Sequence, residues 1–207
     1  MIELKGVSKI ISNKIILEDI NWKIEKGKIY GLVGNNGSGK TMLLRLICDL
    51  IKPSKGEVTR NKNITYGVII ENPGFIYDET ALFNLKYLAS INNKIDENRI
   101  LEVLKYFDLE EYKNTKVKRF SLGMQQKLGL AQAIMEYPDL LLLDEPFNAL
   151  DSKSYEKTKK ILLKVKKENK TTIIIATHDK NSSDIFDSTV KIENGKLSKF
   201  NKNEKCQ

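Results

Sequence analysis

Three stretches of this 207-residue chain carry residue types that can do chemistry together. The first, Gly34-Asn35-Asn36-Gly37-Ser38-Gly39-Lys40-Thr41, fits the pattern G-x-x-x-x-G-K-[S/T]. Glycines there let the backbone curl until successive N–H groups converge on phosphate oxygens. A helix starting near Lys40 and Thr41 would aim its positive end at the same oxygens. In that pattern the lysine bridges the β- and γ-phosphates of a nucleotide and the threonine hydroxyl ligates Mg²⁺. The second stretch, Leu140-Leu141-Leu142-Leu143-Asp144-Glu145, ends an apolar run on two carboxylates. Asp144 can hold the Mg²⁺ shell, and Glu145 can take the proton of an attacking water. The third is His178, the only histidine, which follows the run from Thr172 to Thr177. Ligands bind at the carboxyl ends of strands in open α/β sheets, so His178 is expected to face the same crevice and touch the γ-phosphate.

These residues need strands that end at one edge of a sheet. Ile29-Tyr30-Gly31-Leu32-Val33 reads as a buried strand leading into the glycine-rich loop, and Thr41 to about Leu50 as the helix after it, ended by Pro53 and Gly56. Leu140 to Leu143 and Thr172 to Ala176 are continuous apolar runs of strand length, as expected of strands covered on both faces of a parallel sheet. Ile2 to Val7 and Ile15 to Ile24, with Asn13 and Lys14 at a turn, predict an antiparallel sheet. From about Thr80 to Met135 the apolar spacing is helical, through Leu82, Leu85, Leu88, Ile100, Val103, Leu104, Leu128 and Ile134. The expectation is an α/β fold: a phosphate-loop NTPase core with a mostly parallel sheet, an N-terminal antiparallel β subdomain and an inserted α-helical subdomain. The core would comprise residues 1–75 and 136–207, and the insert residues 76–135.

Composition narrows the setting. Hydrophobic residues make up 41 % of the chain, enough for one sizeable core. No run approaches the eighteen apolar residues of a membrane span, and the start, at Glu3 and Lys5, is unlike a signal peptide; a cytoplasmic protein is expected. The net charge of +8 raises nucleic acid or an anionic membrane as a partner, but the lysines are scattered. The densest set, Lys153 to Lys170, surrounds a helical stripe of Ile161, Leu162 and Val165 and reads as a solvated face. No nucleic-acid partner is expected. Cys48 and Cys206 lack metal-ligand spacing and read as incidental.

Further motifs in order give the chain a resemblance to the nucleotide-binding domains of the ABC transporter family over nearly its whole length. Phe120-Ser121-Leu122-Gly123-Met124-Gln125-Gln126-Lys127 is similar to the family signature, Asp144-Glu145-Pro146 and Asn148-Ala149-Leu150-Asp151 to the second nucleotide motif and D-loop, and His178 to the switch histidine. The resemblance implies an ATPase using ATP and Mg²⁺, whose phosphate loop faces the signature helix of a second subunit across the nucleotide. Ser121 and Gly123 would then contact the nucleotide on the partner's Lys40, and Asp151 would join the nucleotide site. The partners implied are a second copy or a related ATP-binding subunit, together with transmembrane permease subunits that hold the chain on the inner face of the cell membrane. Ile69-Ile70-Glu71-Asn72-Pro73-Gly74-Phe75 and the signature look most like bacitracin- and lantibiotic-type peptide and drug exporters. A soluble ATPase acting on ribosomes or DNA is the alternative, and a nucleotide sensor without turnover is a second.

Four positions depart from the family pattern. Ile11 stands where an aromatic residue stacks on adenine, Leu122 and Met124 replace a glycine and a glutamine of the signature, and Glu71 stands where a glutamine touches Mg²⁺. The groove around Glu71 to Tyr87 is the expected docking place of the membrane partner, with Phe75 and Tyr77 as anchors and Phe83 divided between that role and the core.

Overall fold

The computed structural model describes residues 1–71, 73–179 and 183–199. Asn72 and Cys206, which entered the sequence reading, lie outside them. Strands β1 (Ile2–Ile11) and β2 (Lys14–Ile24) form an antiparallel hairpin. Its turn is Ser12-Asn13, both with positive φ (47° and 63°), the mirror-image turn whose twist suits a two-residue hairpin. On the other edge of β1 lies β4 (Lys55–Arg60), giving the sheet order β2-β1-β4.

The larger sheet contains β3 (Ile29–Val33), β5 (Tyr66–Ile69), β6 (Leu140–Asp144), β7 (Thr172–Thr177), β8 (Ser188–Glu193) and β9 (Lys196–Lys199). Its order is β5-β6-β7-β3-β8-β9, parallel throughout except for the final β8-β9 hairpin. The mostly parallel sheet and the antiparallel N-terminal sheet agree with expectation. Helix α1 (Lys40–Ile47) follows β3 through the glycine-rich loop. Helices α2 (Ala81–Asn92), α3 (Glu97–Tyr106) and α4 (Leu122–Ile134) intervene between β5 and β6, and α5 (Ser152–Asn169) joins β6 to β7.

Strand periodicity explains why the central runs are apolar without a break. Successive residues point to opposite faces. Leu141, Leu143, Ile173 and Ile175 join one buried cluster with α2 to α5, whereas Leu140, Leu142, Ile174 and Ala176 join another with α1 and the antiparallel sheet. Every residue of β7 is buried. The lysines of α5 behave largely as expected, with Ile161, Leu162 and Val165 buried. Lys159 is the exception, a buried cation paired with Asp184 at 2.7 Å and Glu156 at 3.1 Å.

Helix α4 is held close to the sheet. A methyl group at Gly67 of β5 would sit 2.0 Å from the Ala133 carbonyl oxygen of α4, so only glycine permits this approach of strand to helix. The α4 carboxyl end is closed by the buried Arg99 of α3, whose guanidinium donates to Met135 O at 3.1 Å and Ile134 O at 3.2 Å. Gly67→Ala is expected to destabilise the chain by about 1–3 kcal/mol, the usual range for overpacking. Urea denaturation checks this; an unchanged midpoint would mean that β5 and α4 part without cost.

Candidate functional site

Parallel pairing brings the three chemical segments to one edge. Val33 pairs with Thr177, and Asp144 with Ala176. The glycine-rich loop, the two carboxylates and His178 therefore leave adjacent strands within a residue of each other. The loop and the two carboxylates border a cavity of about 540 Å³ that is also lined by Ile16, Arg45, Glu71 and Gln126, whereas His178, expected in the same crevice, lines a neighbouring cavity on the other side of residues 34–38.

The loop has the shape of an anion cradle. Gly37 and Gly39 adopt φ of 78° and 108°, where a side chain would strain the backbone. The other four α-helices each start on an oxygen cap, from Thr80, Asp96, Ser121 and Asp151, but α1 starts on Gly39 with no side-chain cap. Its positive end and first N–H groups are left facing the cavity. The Ser38 hydroxyl is buried with no hydrogen-bond partner, and the buried Lys40 ammonium donates to Gly34 O at 2.7 Å and Asn35 O at 3.2 Å. Phosphate oxygens fit these donors.

A cation fits beside them. Thr41 Oγ1 donates to Asp144 Oδ2 at 2.5 Å, joining two hard oxygen donors at the amino end of α1. Among the described residues no three His, Cys, Asp or Glu side chains gather as a cage. That donor set suits a small ion which keeps waters and phosphate oxygens in its shell, as Mg²⁺ does.

Glu145 is bound to β7. Its N–H donates to Ala176 O at 2.8 Å, its Oε1 accepts from His178 N–H at 3.0 Å and lies 2.8 Å from His178 Nδ1, and Lys40 Nζ stands 3.6 Å away. His178 is half exposed. Glu71, expected at the metal, lines the same cavity and is paired with Arg45 of α1 at 2.7 Å. Arg45 carries no motif signal; it meets Glu71 only through the fold, as Gln126 of α4 meets Pro146 O at 3.1 Å.

Other expected site residues fall elsewhere. Ile11 does not line this cavity; the apolar side chain that does is Ile16, on the second strand of the hairpin. Asp151 caps α5, with one carboxylate oxygen 2.8 Å from Ser154 N and the other 3.0 Å from Ser154 Oγ. Ser121 caps α4 by accepting from Met124 N at 3.2 Å, and Leu122 beside it is 73 % exposed. Gly123 admits no side chain, because a methyl there would lie 2.7 Å from Ala149 O. Ser121 and Gly123 thus lie at the amino end of α4, outside the cavity of their own chain.

Comparison with known proteins agrees with this geometry. Residues 17–148 match the family model described as ABC transporter. The chain is 42 % identical over 206 residues to the ABC transporter ATP-binding protein YybJ of Bacillus subtilis (strain 168), covering 95 % of this chain and 94 % of that protein. It is 37 % identical to the bacitracin transport ATP-binding protein BcrA of Enterococcus faecalis, over 86 % of this chain and 61 % of BcrA. The solved dimer of the bacterial ABC transporter cassette MJ0796 superposes with a TM-score of 0.87 at 29 % identity, covering 97 % of this chain and 99 % of the cassette. The chain belongs to the ABC transporter family. Within it, this is an ATP-binding, ATP-hydrolysing subunit.

Burial pushes the Asp144 carboxyl above its usual range, and the Glu145 charge adds to this, against the Thr41 hydrogen bond and Lys40. For a carboxylate raised in the folded state, the contribution to stability is present below the ordinary aspartate pKa and is lost as pH rises through the raised value. At neutral pH the ionised group therefore weakens the nucleotide-free fold. Asp144→Asn is expected to raise the nucleotide-free melting temperature by about 2–4 °C, equivalent to roughly 1 kcal/mol, while losing the added stabilisation by Mg·ATP. Scanning calorimetry with and without Mg·ATP checks both; a lower nucleotide-free melting temperature at neutral pH would reverse the assignment of sign.

Proposed function

We propose that the chain hydrolyses Mg·ATP at composite sites formed when two copies, or one copy and a related ATP-binding subunit, pair head to tail, and that this cycle drives separate membrane-spanning subunits. The observation that carries this reading is a half-built site. Phosphate loop, metal-holding oxygens and base share one cavity, whereas Ser121, the exposed cap of α4, and Gly123 in its first turn stand outside it. Support comes from the MJ0796 cassette, solved as a dimer and, in a post-hydrolysis state, as a dimer bound to ADP and Pi. Among the described residues no helix is long and apolar enough to cross a membrane.

In this reading residues 34–39 and Lys40 hold the phosphates, Lys40 exchanging loop carbonyls for phosphate oxygens. Thr41 and Asp144 would hold Mg²⁺, and Glu71, paired here with Arg45, would offer a further oxygen to it. The metal supplies neutralisation of charge on the phosphates when bound. Glu145 accepts the proton of the attacking water, and His178 orients Glu145 and reaches the terminal phosphate. Ser121 and the Gly123 N–H of the second subunit complete the donor set, and the α4 dipole adds to it. Asp151 holds the start of α5 and so the segment that meets the second subunit, while Ile11 and Ile16 offer an apolar surface to the base. Residues 76–135 act as a subdomain moving against the core. The likeness to the bacitracin transport protein BcrA supports a peptide or drug as cargo; this reading takes export as the direction and seats the chain on the inner face of the cell membrane through its permease.

The docking surface for that permease differs from the sequence expectation in its anchors. Phe75 is buried at 7 % exposure in the core beneath α2 and α4, whereas Phe83 is 44 % exposed and stacks on Tyr87, ring centroids 6.3 Å apart. Tyr77, at 45 % exposure, remains a surface anchor. The exposed aromatics Tyr77, Phe83 and Tyr87 suit an interface centre, since such residues bury much area at small entropic cost. Joint substitution Tyr77→Ala and Phe83→Ala is expected to weaken co-purification with the membrane subunits at least tenfold without changing the melting temperature. Undiminished association would remove this surface from the interface.

Glu145→Gln is expected to lower turnover by a factor of about 10² or more, since general base catalysis contributes on that order, while ATP binding persists. The variant should accumulate as an ATP-bound dimer in size-exclusion chromatography at saturating Mg·ATP. A species that binds ATP yet elutes only as monomer counts against pairing of identical copies.

A further inference from the structure

Thr177, the last residue of β7, is 2 % exposed and makes three polar contacts that join separate parts of the site. Its main-chain carbonyl accepts from Gly34 N–H, at the start of the phosphate loop, at 3.3 Å. Its hydroxyl oxygen accepts from Asp179 N–H at 3.0 Å. The same hydroxyl lies 3.2 Å from Glu145 Oε2. A hydroxyl has one proton to give. Asp179 N–H can only donate, so it takes up a lone pair of Oγ1 and leaves the Thr177 proton for the carboxylate. On the other oxygen, Oε1, the His178 N–H donates at 3.0 Å. Both carboxylate oxygens are therefore held by consecutive residues, the hydroxyl of Thr177 at the end of β7 and the main-chain N–H of His178 just after it. Glu145 N–H, donating to Ala176 O, fixes the same glutamate through its backbone.

This matters because Glu145 receives little guidance from its own segment. It sits at φ 48°, in the left-handed region, immediately before Pro146. An ordinary side chain there is strained, and such a conformation persists when neighbouring contacts over-determine it. We propose that Thr177 is a positioning residue for the hydrolytic reaction, its hydroxyl holding the Glu145 carboxylate in the plane and direction from which it receives a proton. The inference rests on the reading of Glu145 as the base. A base displaced by a fraction of an ångström loses turnover without loss of substrate binding, because binding is carried by the loop and the base acts only as the barrier is crossed.

The test compares Thr177→Val, which keeps the branched shape and removes the hydroxyl, with Thr177→Ser, which keeps the hydroxyl and removes a methyl. Steady-state hydrolysis of Mg·ATP by the full-length chain, nucleotide affinity and melting temperature are measured for each, alone and with Glu145→Gln. The expected result is a fall in kcat of about ten- to a hundredfold for Thr177→Val with KM and ATP affinity within twofold of the parent, and near-parental kcat for Thr177→Ser. In the Glu145→Gln background Thr177→Val should lower the residual rate no further. Parental kcat in Thr177→Val, or equal loss in both variants, overturns the proposal. So does a loss confined to KM, or one that tracks a lowered melting temperature, since either marks a purely structural threonine. If Glu145→Gln itself keeps turnover, the assignment of the base fails instead, and that outcome is distinct because it is read from the single variant.

Discussion

The in-register parallel pairing of β7 with β3 on one side and β6 on the other is the constraint from which the site follows. Parallel strands end on the same edge, and their register decides how far apart the residues after them emerge. Val33 opposite Thr177 and Asp144 opposite Ala176 place the loop, the carboxylates and the histidine within hydrogen-bonding reach. A slip of one residue would turn every side chain of β7 to the other face, moving Ile174 and Ala176 out of one cluster and Ile173 and Ile175 out of the other. The apolar matching of two cores thus sets the geometry of a polar site.

The same reasoning accounts for what could be read in advance. Strands β6 and β7 were legible because burial on both faces demands unbroken apolar runs, and the loop because its glycines, lysine and threonine each answer to a separate physical need. Strand β4, Lys55–Arg60, was not legible: its one apolar residue, Val58, is half buried and its pairing is supplied by the free edge of β1. Strand β8 alternates and buries only Val190 and Ile192, a weak pattern at this length. The hairpin turn falls at Ser12-Asn13, one residue earlier than its composition suggested, and irregularities in β1 shift its register against β2. Ile11, placed at the nucleotide base by family resemblance, does not line the cavity, and the apolar wall comes from Ile16 of β2.

Phe75 and Phe83 illustrate a different limit. Both are aromatic residues in the same segment, and type alone does not say which one faces inward. Helical spacing does for Phe83, which lies four residues before Tyr87 on α2 and stacks with it on the surface. The contacts of Glu71 with Arg45 and of Gln126 with Pro146 needed the fold, because partners 26 and 20 residues apart share no periodic signal.

The Lys40 contacts bear on how quickly the site can fill. The ammonium braces the loop from within, through the carbonyls of Gly34 and Asn35. The conformational entropy of ordering those residues is therefore spent during folding and not on encounter. Entry of a phosphate becomes an exchange of one set of oxygens for another around a fixed cation. Such a preformed receptor captures its ligand at a rate set by diffusion and orientation, and its residence time, more than its rate of capture, carries the differences in affinity between one nucleotide and another.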